Sequence, residues 1–298
     1  MESEYRFTIF TPCYNSEKFI HRVIESLEAQ TYNDFEWLVI NDASEDDTLN
    51  ILQKYADVAS FPVRIINNPK NKMLYYNYNL AFEQAKGELM VFAGHDDRFH
   101  AESLDTFNSI WEQSSNESTA AIWCECQDQF GNLVGVPFPE QITISDYFEM
   151  FPKYIYKQER FACTRTDILR SFKFDLDGER TGEFFLWANI GLKFKTIYIN
   201  KILRTYYIED NNPDALTKRS REDIAIKVYI SYLDWINLYL ERIKRNIVLK
   251  LRFHFALAFY GILSDQKPIE VIRSIHKTKS RIIVCLLYPL AYLRSLKK

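Results

Sequence analysis

Glycine and proline are scarce in this chain, with eight and nine residues among 298. Their scarcity excludes a collagen-like chain and a disordered chain rich in both residues. The five cysteines are scattered and odd in number, so no disulfide framework is indicated. Cys124 and Cys126 alternate within a predicted strand, which favours burial over a zinc site because no second pair of ligands is at hand. We therefore expect reduced thiols and a cytoplasmic protein, and the acidic start MESEYRF predicts no signal peptide.

Long hydrophobic runs are also lacking. Residues 282–293 form an uncharged stretch of twelve residues that contains Pro289, whereas a membrane-spanning helix needs about twenty. Basic residues flank this stretch, and residues 201–298 carry a net charge of +10 against −13 for residues 1–200. Two interpretations stay open: a peripheral anchor on an anionic membrane surface, or a last core helix packed on the N-terminal domain, residues 1–215. No nucleic-acid partner is expected, because no single-strand platform or groove-reading motif is visible.

The first hundred residues alternate between short apolar runs and helical stripes. This rhythm predicts a parallel sheet with helices on its faces. The predicted strands cover residues 7–11, 35–41, 62–67 and 88–93, and the predicted helices cover 16–30, 46–56 and 74–85, the first with Ser16 as its N-cap.

The rhythm changes after residue 101. An apolar stripe over residues 220–264 predicts a helix that is broken once, and we predict an α/β domain over 1–215 with a basic helical region over 216–298. Within the α/β domain, after residue 101, we predict a helix that ends at about 113, a hairpin of 120–126 with 133–136 and an irregular segment at 137–160. Helices at 163–172 and 182–191 and a strand at 197–207 follow.

The candidate site lies in the loops that follow the predicted strands, because ligands of parallel sheets bind beyond the carboxyl ends of the strands. Three such loops are polar: Pro12-Cys13-Tyr14-Asn15, Asp42-Ala43-Ser44 and Gly94-His95-Asp96-Asp97. We expect Asp96 and Asp97 on the solvent-facing rim. Adjacent carboxylates repel each other unless a cation or water intervenes, so the pair is either a metal site or an ordinary acidic turn.

Five separated motifs extend this pattern along the chain: FTIFTPCYNSEKFI, SLEAQTYNDFEWLVINDASEDDT, FAGHDDRF, CTRTDILRSFKFD and TGEFFLWANI. In this order they resemble the inverting glycosyltransferases of family 2, over residues 5–210. The resemblance implies a GT-A fold, which is a Rossmann-like, mostly parallel sheet with helices on both faces, here with a C-terminal helical appendage. It also implies transfer of a sugar from a nucleotide-sugar with Mg²⁺ or Mn²⁺ as cofactor.

The resemblance assigns the nucleotide to the first loops. Asp42 matches the aspartate that reads the base, where a carboxylate can accept the imide N–H of uracil, and Tyr14 can stack on that base. The nucleotide-binding set is predicted as Pro12, Tyr14, Asn15, Asp42, Lys72 and Asp96. Lys72, or else Lys70, would supply positive charge toward phosphate, because Tyr76 stands where many relatives have an arginine. The alternative for Asp42 is that it caps the next helix together with Ser44.

The metal and the catalytic base are also implied by resemblance. Asp96 and Asp97 match the end of the family's acidic metal motif, although Gly94 stands where many relatives have a further aspartate. Glu183 lies four residues before Trp187, at the position of the family's base, which takes a proton from the acceptor hydroxyl. Its alternative role is a favourable charge at a helix N-terminus. Glu209 lies near the place of a histidine in many relatives. It is either a substitute metal ligand or a residue without that contact, and we expect the contact to be absent.

The sequence therefore predicts an inverting transferase, with UDP-sugar as donor and a glycan or lipid-linked acceptor in surface polysaccharide assembly. We expect it at the cytoplasmic face of the membrane. One rival is a nucleotide-sugar-binding scaffold without catalysis, which Gly94, Phe184 and Glu209 would suggest. The other is a nucleotidyltransferase, which would be expected to carry a Gly- and Arg-rich phosphate loop that TPCYNSEKF lacks.

Overall fold

The structure is a computed structural model that describes residues 3–176, 182–207, 220, 224–244 and 246–296. The chain divides into two compact units: Met1–Phe174 with Asn189–Ile208, and Asp175–Ala188 with Glu209–Lys298. The predicted boundary at residue 215 stays a prediction, because residues 208–219 lie outside the described part.

The first unit is built on one mixed sheet. Its strands are β1 Tyr5–Cys13, β2 Phe35–Asn41, β3 Val63–Asn67, β4 Gly87–Phe92, β5 Arg98–Phe99, β6 Thr119–Asp128, β7 Leu133–Val134, β8 Ile142–Ser145, β9 Phe161–Arg165 and β10 Lys195–Tyr206. The strand order is β3-β2-β1-β4-β9-β6-β10-β5, with β7 added to β6 and β8 added to β10. Strands β3, β2, β1 and β4 run parallel, as do β6 and β10, whereas β9 is antiparallel to both neighbours. The predicted α/β class is confirmed.

Helices connect the strands and continue into the second unit. They are α1 Ile20–Glu28, α2 Thr48–Ala56, α3 Leu74–Gln84, α4 Ser103–Ser114, α5 Tyr147–Met150, α6 Thr166–Ser171, α7 Glu183–Gly191, α8 Ala225–Asp234, α9 Ile247–Leu263, α10 Pro268–Ser274 and α11 Thr278–Ser295. A π-helical turn, Phe151–Ile155, follows α5, and a π turn and a 3₁₀ turn follow α8 up to Arg242.

The core of the first unit forms around β2, which is buried at every residue. It lies between β1 and β3 in the sheet. Helices α1, α2 and α4 contribute apolar side chains to the same cluster, among them Val23, Leu52 and Phe107. Each such side chain stabilises the fold by about 1.5–3 kcal/mol when it is fully buried. The parallel half of the sheet is thereby a rigid support for the loops at its carboxyl edge.

Three predictions about local structure are wrong. Residues 163–172 are not one helix, because the chain pairs as β9 before α6 begins at Thr166. Residues 137–160 are not wholly irregular, because they contain β8, α5 and the π turn. Ser16 caps no helix, since α1 starts at Ile20 and the Ser16 carbonyl accepts the N–H groups of Phe19 and Ile20 instead.

The helix predicted over residues 220–264 is broken once, as expected. Helices α8 and α9 are separated by the π and 3₁₀ turns, and α11 packs along α9. Helix α11 continues through Pro289 without a break. Among the described residues, no helix combines the length and apolar character that crossing a membrane requires.

Candidate active site

The carboxyl ends of the first three strands meet at one edge of the sheet. Cys13 pairs with Asn41 and Asn41 with Asn67 in register, so the loops that follow β1, β2 and β3 start side by side. Asn15 and Ser44 join two of these loops. The Asn15 N–H donates to Ser44 Oγ at 3.0 Å, and the Glu45 N–H donates to Asn15 Oδ1 at 3.0 Å. β1 also pairs in parallel with β4, with Phe10 beside Phe92, so the loop that follows β4 starts at the same edge. The predicted convergence of the loops after β1, β2 and β4 is confirmed.

Backbone conformation at this edge is unusual for side chains of this kind. Asn15 and Ala43 adopt φ values of 49° and 58°, and Met73 adopts 71°. Left-handed φ is uncommon outside glycine, and a residue held there costs about 1–3 kcal/mol. Asn15 and Ala43 follow β1 and β2, Met73 precedes α3, and the backbone N–H groups of Asn15 and Met73 donate to Ser44 and Asp42. These hydrogen bonds help to hold the loops in this conformation.

Asp42 accepts three hydrogen bonds at this edge of the sheet. Its Oδ1 accepts hydrogen bonds from Asn68 Nδ2 at 2.7 Å and from the Lys72 N–H at 2.8 Å, while its Oδ2 accepts the Met73 N–H at 2.9 Å. The side chain is buried, and Asn68 also donates to Asn77 Oδ1 at 2.8 Å. Asp42 therefore ties the loop after β2 to the loop before α3.

The alternative role of Asp42 as a cap of the next helix is wrong. Helix α2 starts at Thr48 with Asp47 at the N-cap position, and the Thr48 N–H donates to Asp46 Oδ1 at 3.1 Å. Ser44 Oγ donates to Asn41 Oδ1 rather than accepting from the helix.

The remaining residues predicted for the nucleotide lie at the same edge. Pro12 is half-buried near the end of β1, and Tyr14 directly after the strand is 36% exposed. The Lys72 ammonium lies 5.2 Å from the centre of the Tyr76 ring. Tyr76 thus holds the Lys72 cation at the start of α3.

The carboxylates of Asp96 and Asp97 converge above Gly94. A methyl group placed at Gly94 would lie 2.9 Å from Asp97 Oδ2 and 3.2 Å from Asp96 Oδ1. Any side chain at position 94 would therefore displace one or both of these carboxylates. Asp96 is half-buried, and its backbone carbonyl accepts a hydrogen bond from Arg22 Nη1 at 2.9 Å.

The expectation that Asp97 lies on the solvent-facing rim is wrong. Asp97 is 4% exposed, and its Oδ2 lies 3.5 Å from Nη1 of Arg204 on β10, whose second nitrogen bonds Glu159. Burial raises the pKa of Asp97 to about 6, and the neighbouring Asp96 and Glu159 add to the rise. Arg204 and the backbone N–H of Tyr207 oppose it.

Arg204 is a residue of this site that the sequence motifs did not indicate. It follows Asp97 by more than a hundred positions, and it lies beside the loop because β10 pairs with β5 directly after the aspartates. A basic residue in the last third of a predicted strand was the only available signal, and many structural arginines share it.

A divalent cation fits the donor atoms present. Asp97 Oδ1 is buried and accepts no hydrogen bond from any described residue. Together with Asp96 it offers carboxylate oxygens, which Mg²⁺ and Mn²⁺ prefer, and Mg²⁺ is commonly held by one or two carboxylates plus substrate phosphates. Within the described part of the chain, no cluster of three or more potential ligands forms, so the donor's phosphates would have to complete the shell.

Glu183 belongs to the second unit and begins α7 with an exposed side chain. This position agrees both with a base and with a favourable charge at the helix N-terminus. Glu209, whose contact was expected to be absent, lies outside the described residues.

Comparison with known proteins decides the family. The sequence model of glycosyl transferase family 2 matches residues 8–173, more than half of the chain. The chain belongs to glycosyl transferase family 2. The match includes the three polar loops and the strands that carry them.

Individual relatives of family 2 support the same assignment. A β-1,3-glucosyltransferase of Campylobacter jejuni, named for GalNAc(5)-diNAcBac-PP-undecaprenol, is 26% identical over 77% of this chain and 72% of its own length. The putative teichuronic acid biosynthesis glycosyltransferase TuaG of Bacillus subtilis is 26% identical over 69% of this chain and 80% of its own. The match to TarS of Staphylococcus aureus, a poly(ribitol-phosphate) β-N-acetylglucosaminyltransferase, spans only 18% of that protein.

A solved structure confirms the GT-A fold. TarS residues 1–349, in complex with UDP-GlcNAc, superpose with a TM-score of 0.68 over 97% of this chain and 92% of that one, at 18% identity. The likeness at this identity concerns the fold.

Proposed function

We propose that this protein is an inverting glycosyltransferase that moves a sugar from a UDP-sugar to a glycan or lipid-linked acceptor in surface polysaccharide assembly, at the cytoplasmic face of a membrane. The observation that carries the proposal is the set of acidic residues at the carboxyl edge of the sheet. Asp42 holds the loops there, and Asp96 and Asp97 lie in the loop after β4, in a chain of family 2. The names of the C. jejuni and B. subtilis relatives support the acceptor class.

The edge supplies contacts for each part of the donor. Tyr14 offers an exposed aromatic face for stacking on a base. Asp42 Oδ2 accepts one hydrogen bond within the protein, which leaves acceptor capacity for an imide N–H. The Lys72 ammonium supplies positive charge toward phosphate. A divalent cation held by Asp96 and Asp97 would neutralise the charge that develops on the diphosphate leaving group.

Inversion requires attack from the face opposite the leaving diphosphate. In this proposal the oxygen of the acceptor hydroxyl forms a bond to the anomeric carbon while Glu183 takes the hydroxyl proton. The bond between the anomeric carbon and the diphosphate oxygen breaks at the same time. The products are the extended acceptor, UDP and a protonated Glu183, which then releases its proton to solvent.

A thermal-shift panel with UDP, GDP, dTDP and CMP, each with and without Mn²⁺, tests the donor class. A ligand present at about 100 times its Kd stabilises the folded state by about 2.7 kcal/mol, so the unfolding midpoint should rise by several degrees. UDP with Mn²⁺ should give the largest shift. A larger shift with GDP would overturn the UDP assignment, and binding without release of sugar from any UDP-sugar, in the presence of acceptor glycans, would favour a scaffold.

Asp42→Asn tests whether the Asp42 carboxylate supports both the loop structure and UDP binding. Asparagine has one acceptor oxygen, so Asn68, Lys72 and Met73 can no longer all be satisfied, and its amide group faces backbone N–H donors. We expect a loss of about 1–3 kcal/mol in unfolding free energy and at least tenfold weaker UDP binding by calorimetry. Asp47→Asn is the matched control, because Asp47 is exposed in the same loop. Equal UDP affinity in parent and Asp42→Asn would remove Asp42 from the nucleotide site.

A further inference from the structure

The solvent side of α11 is apolar over more than three helical turns. Ile282, Leu286, Leu290 and Leu293 are 56%, 73%, 57% and 58% exposed. Their spacing of four, four and three residues places them on one stripe of the helix. Cys285, Pro289, Tyr292 and Leu296 are exposed as well, and they extend the stripe to a broad face. We call these eight residues the apolar face of α11.

The opposite side of α11 is the one that packs inside the second unit. Ser280, Val284 and Ala291 are buried there, and α11 lies along α9. Packing of α11 on α9 therefore uses small side chains on one side of the helix. The larger apolar side chains on the other side stay exposed. Soluble proteins rarely expose so many large apolar side chains on one helix face unless that face binds a partner.

Charge at both ends of the helix narrows the choice of partner. Lys279 before the apolar face and Arg294 at its end are exposed. From Arg242 onward the sequence has 13 basic residues and only two acidic ones, Asp265 and Glu270. A basic rim around an apolar face matches an anionic lipid headgroup layer above acyl chains.

A second copy of this chain fits less well. Two identical apolar faces packed antiparallel would bring Lys279 of one copy near Arg294 of the other. No aspartate or glutamate follows Glu270 in the sequence, so neither charge would find a counter-ion on the partner helix. Like charges at a buried interface oppose association.

We propose that the apolar face of α11 docks on an anionic lipid surface, with α11 lying in the plane of that surface. The helix would place its leucines among the outer acyl carbons while Lys279 and Arg294 contact lipid phosphates. The inference deepens the proposed location at a membrane, but it depends neither on the donor nor on catalysis. It can therefore fail while the transferase assignment stands.

The test is co-sedimentation of the full chain with vesicles in the absence of donor and metal. One vesicle is an equimolar mixture of phosphatidylglycerol and phosphatidylcholine, and the other is phosphatidylcholine alone. The parent should bind the anionic vesicles at least tenfold more tightly. Raising salt from about 0.1 M to about 1 M shortens the screening length from about 10 Å to about 3 Å, so it should release most of the protein.

Two pairs of substitutions separate the contributions. Leu286→Glu with Leu290→Glu should lower anionic-vesicle binding by roughly 10²-fold, because each leucine contributes about tenfold when it is buried. Lys279→Glu with Arg294→Glu should lower it by roughly 20-fold or more. Phe130→Glu is the control, since Phe130 is 80% exposed in the β6–β7 turn. Circular dichroism and thermal unfolding establish that each variant is folded, and if one pair unfolds, the other decides.

Several results would overturn the proposal. Parent-like binding by a folded pair variant, an equal loss with Phe130→Glu, or equal affinity for both vesicles would each do so. Light scattering gives the competing outcome: a dimer of the parent that dissociates in Leu286→Glu with Leu290→Glu, without vesicle binding, would assign the face to a second copy.

Discussion

Glu183→Gln should lower the rate of sugar transfer by roughly 10²–10⁴-fold, the usual contribution of a positioned general base. Glutamine keeps the size and shape of the side chain but cannot take a proton from the acceptor hydroxyl. Binding of UDP-sugar and Mn²⁺ should stay close to that of the parent, because those contacts are assigned to Tyr14, Asp42 and the aspartate pair on other loops. The loss should therefore appear in kcat rather than in donor affinity.

The helix-terminus interpretation of Glu183 makes a different prediction. Glu183 is the acidic residue in the first turn of α7, and a charge at that position stabilises a helix by about 0.3–1 kcal/mol. Asp105→Asn is the matched control, because Asp105 is an exposed acidic residue in the first turn of α4. If Glu183→Gln loses only stability, to the extent that Asp105→Asn does, and transfers sugar normally, Glu183 is not the base.

Calorimetry with UDP-sugar and a transfer assay must be made on the same preparations. Loss of donor binding together with transfer would give Glu183 a structural role. Normal transfer would leave Asp177 and Glu179, just upstream in the sequence, as the next candidates. Glu183→Asp should retain more activity than Glu183→Gln, since it keeps a carboxylate at a shorter reach.

The parallel half of the sheet could be predicted because each strand there is a local apolar run. Phe35–Asn41 is buried at every residue and reads as a strand without any knowledge of its neighbours. β9 could not be predicted in this way. Its five residues run directly into α6, and Ile168 and Leu169 of that helix extend the apolar spacing, so the pattern from 163 to 172 reads as one helix. Only pairing with β4 and β6 makes β9 a strand.

The aspartate pair shows the same limit within the site. The local sequence indicates two adjacent carboxylates at a strand end, but it does not predict that one is buried and the other half-exposed. Asp97 pairs with Arg204, and Arg204 pairs in turn with Glu159; both residues are distant from Asp97 in sequence. Environments of this kind arise from tertiary pairing, whereas motif spacing reports only residue type and order.

Asp97 is a carboxylate that the fold holds at a cost. Its pKa of about 6 lies above the ordinary value of 3.8, so burial outweighs the attraction of Arg204. A group with a raised folded-state pKa contributes stability that is fully present below its unfolded pKa. That contribution is lost as pH rises through the folded pKa. For Asp97 the loss runs from about pH 4 to about pH 6 and is on the order of 3 kcal/mol. A charge kept at such a cost is expected where function needs it.

Asp97→Asn should therefore separate stability from function. Asparagine resembles the protonated acid, so the variant lacks the loss between about pH 4 and about pH 6. Its unfolding free energy, relative to the parent, should rise over that range by an amount on the order of 3 kcal/mol. At pH 7 Mn²⁺-dependent UDP binding should fall by at least 100-fold, because an amide binds a divalent cation far less well than a carboxylate. Urea unfolding at about pH 4 and about pH 6 measures the effect on stability, and calorimetry with UDP and Mn²⁺ at pH 7 measures the effect on binding.

Asp96→Asn is the matched comparison because Asp96 is adjacent but only half-buried. It should weaken Mn²⁺-dependent UDP binding as strongly. It should reduce the loss of stability between about pH 4 and about pH 6 only in part, because burial, and not the charge of Asp96, is the largest cause of the raised pKa of Asp97. Arg204→Gln should do the reverse of Asp97→Asn for stability, since it removes the cation that opposes the rise in the pKa of Asp97. The pH at which Mn²⁺-dependent binding appears should then move upward, because metal binding requires the deprotonated carboxylate. Parent-like UDP–Mn²⁺ affinity in both asparagine variants would mean that the pair is an acidic turn and that Arg204 serves only to neutralise it.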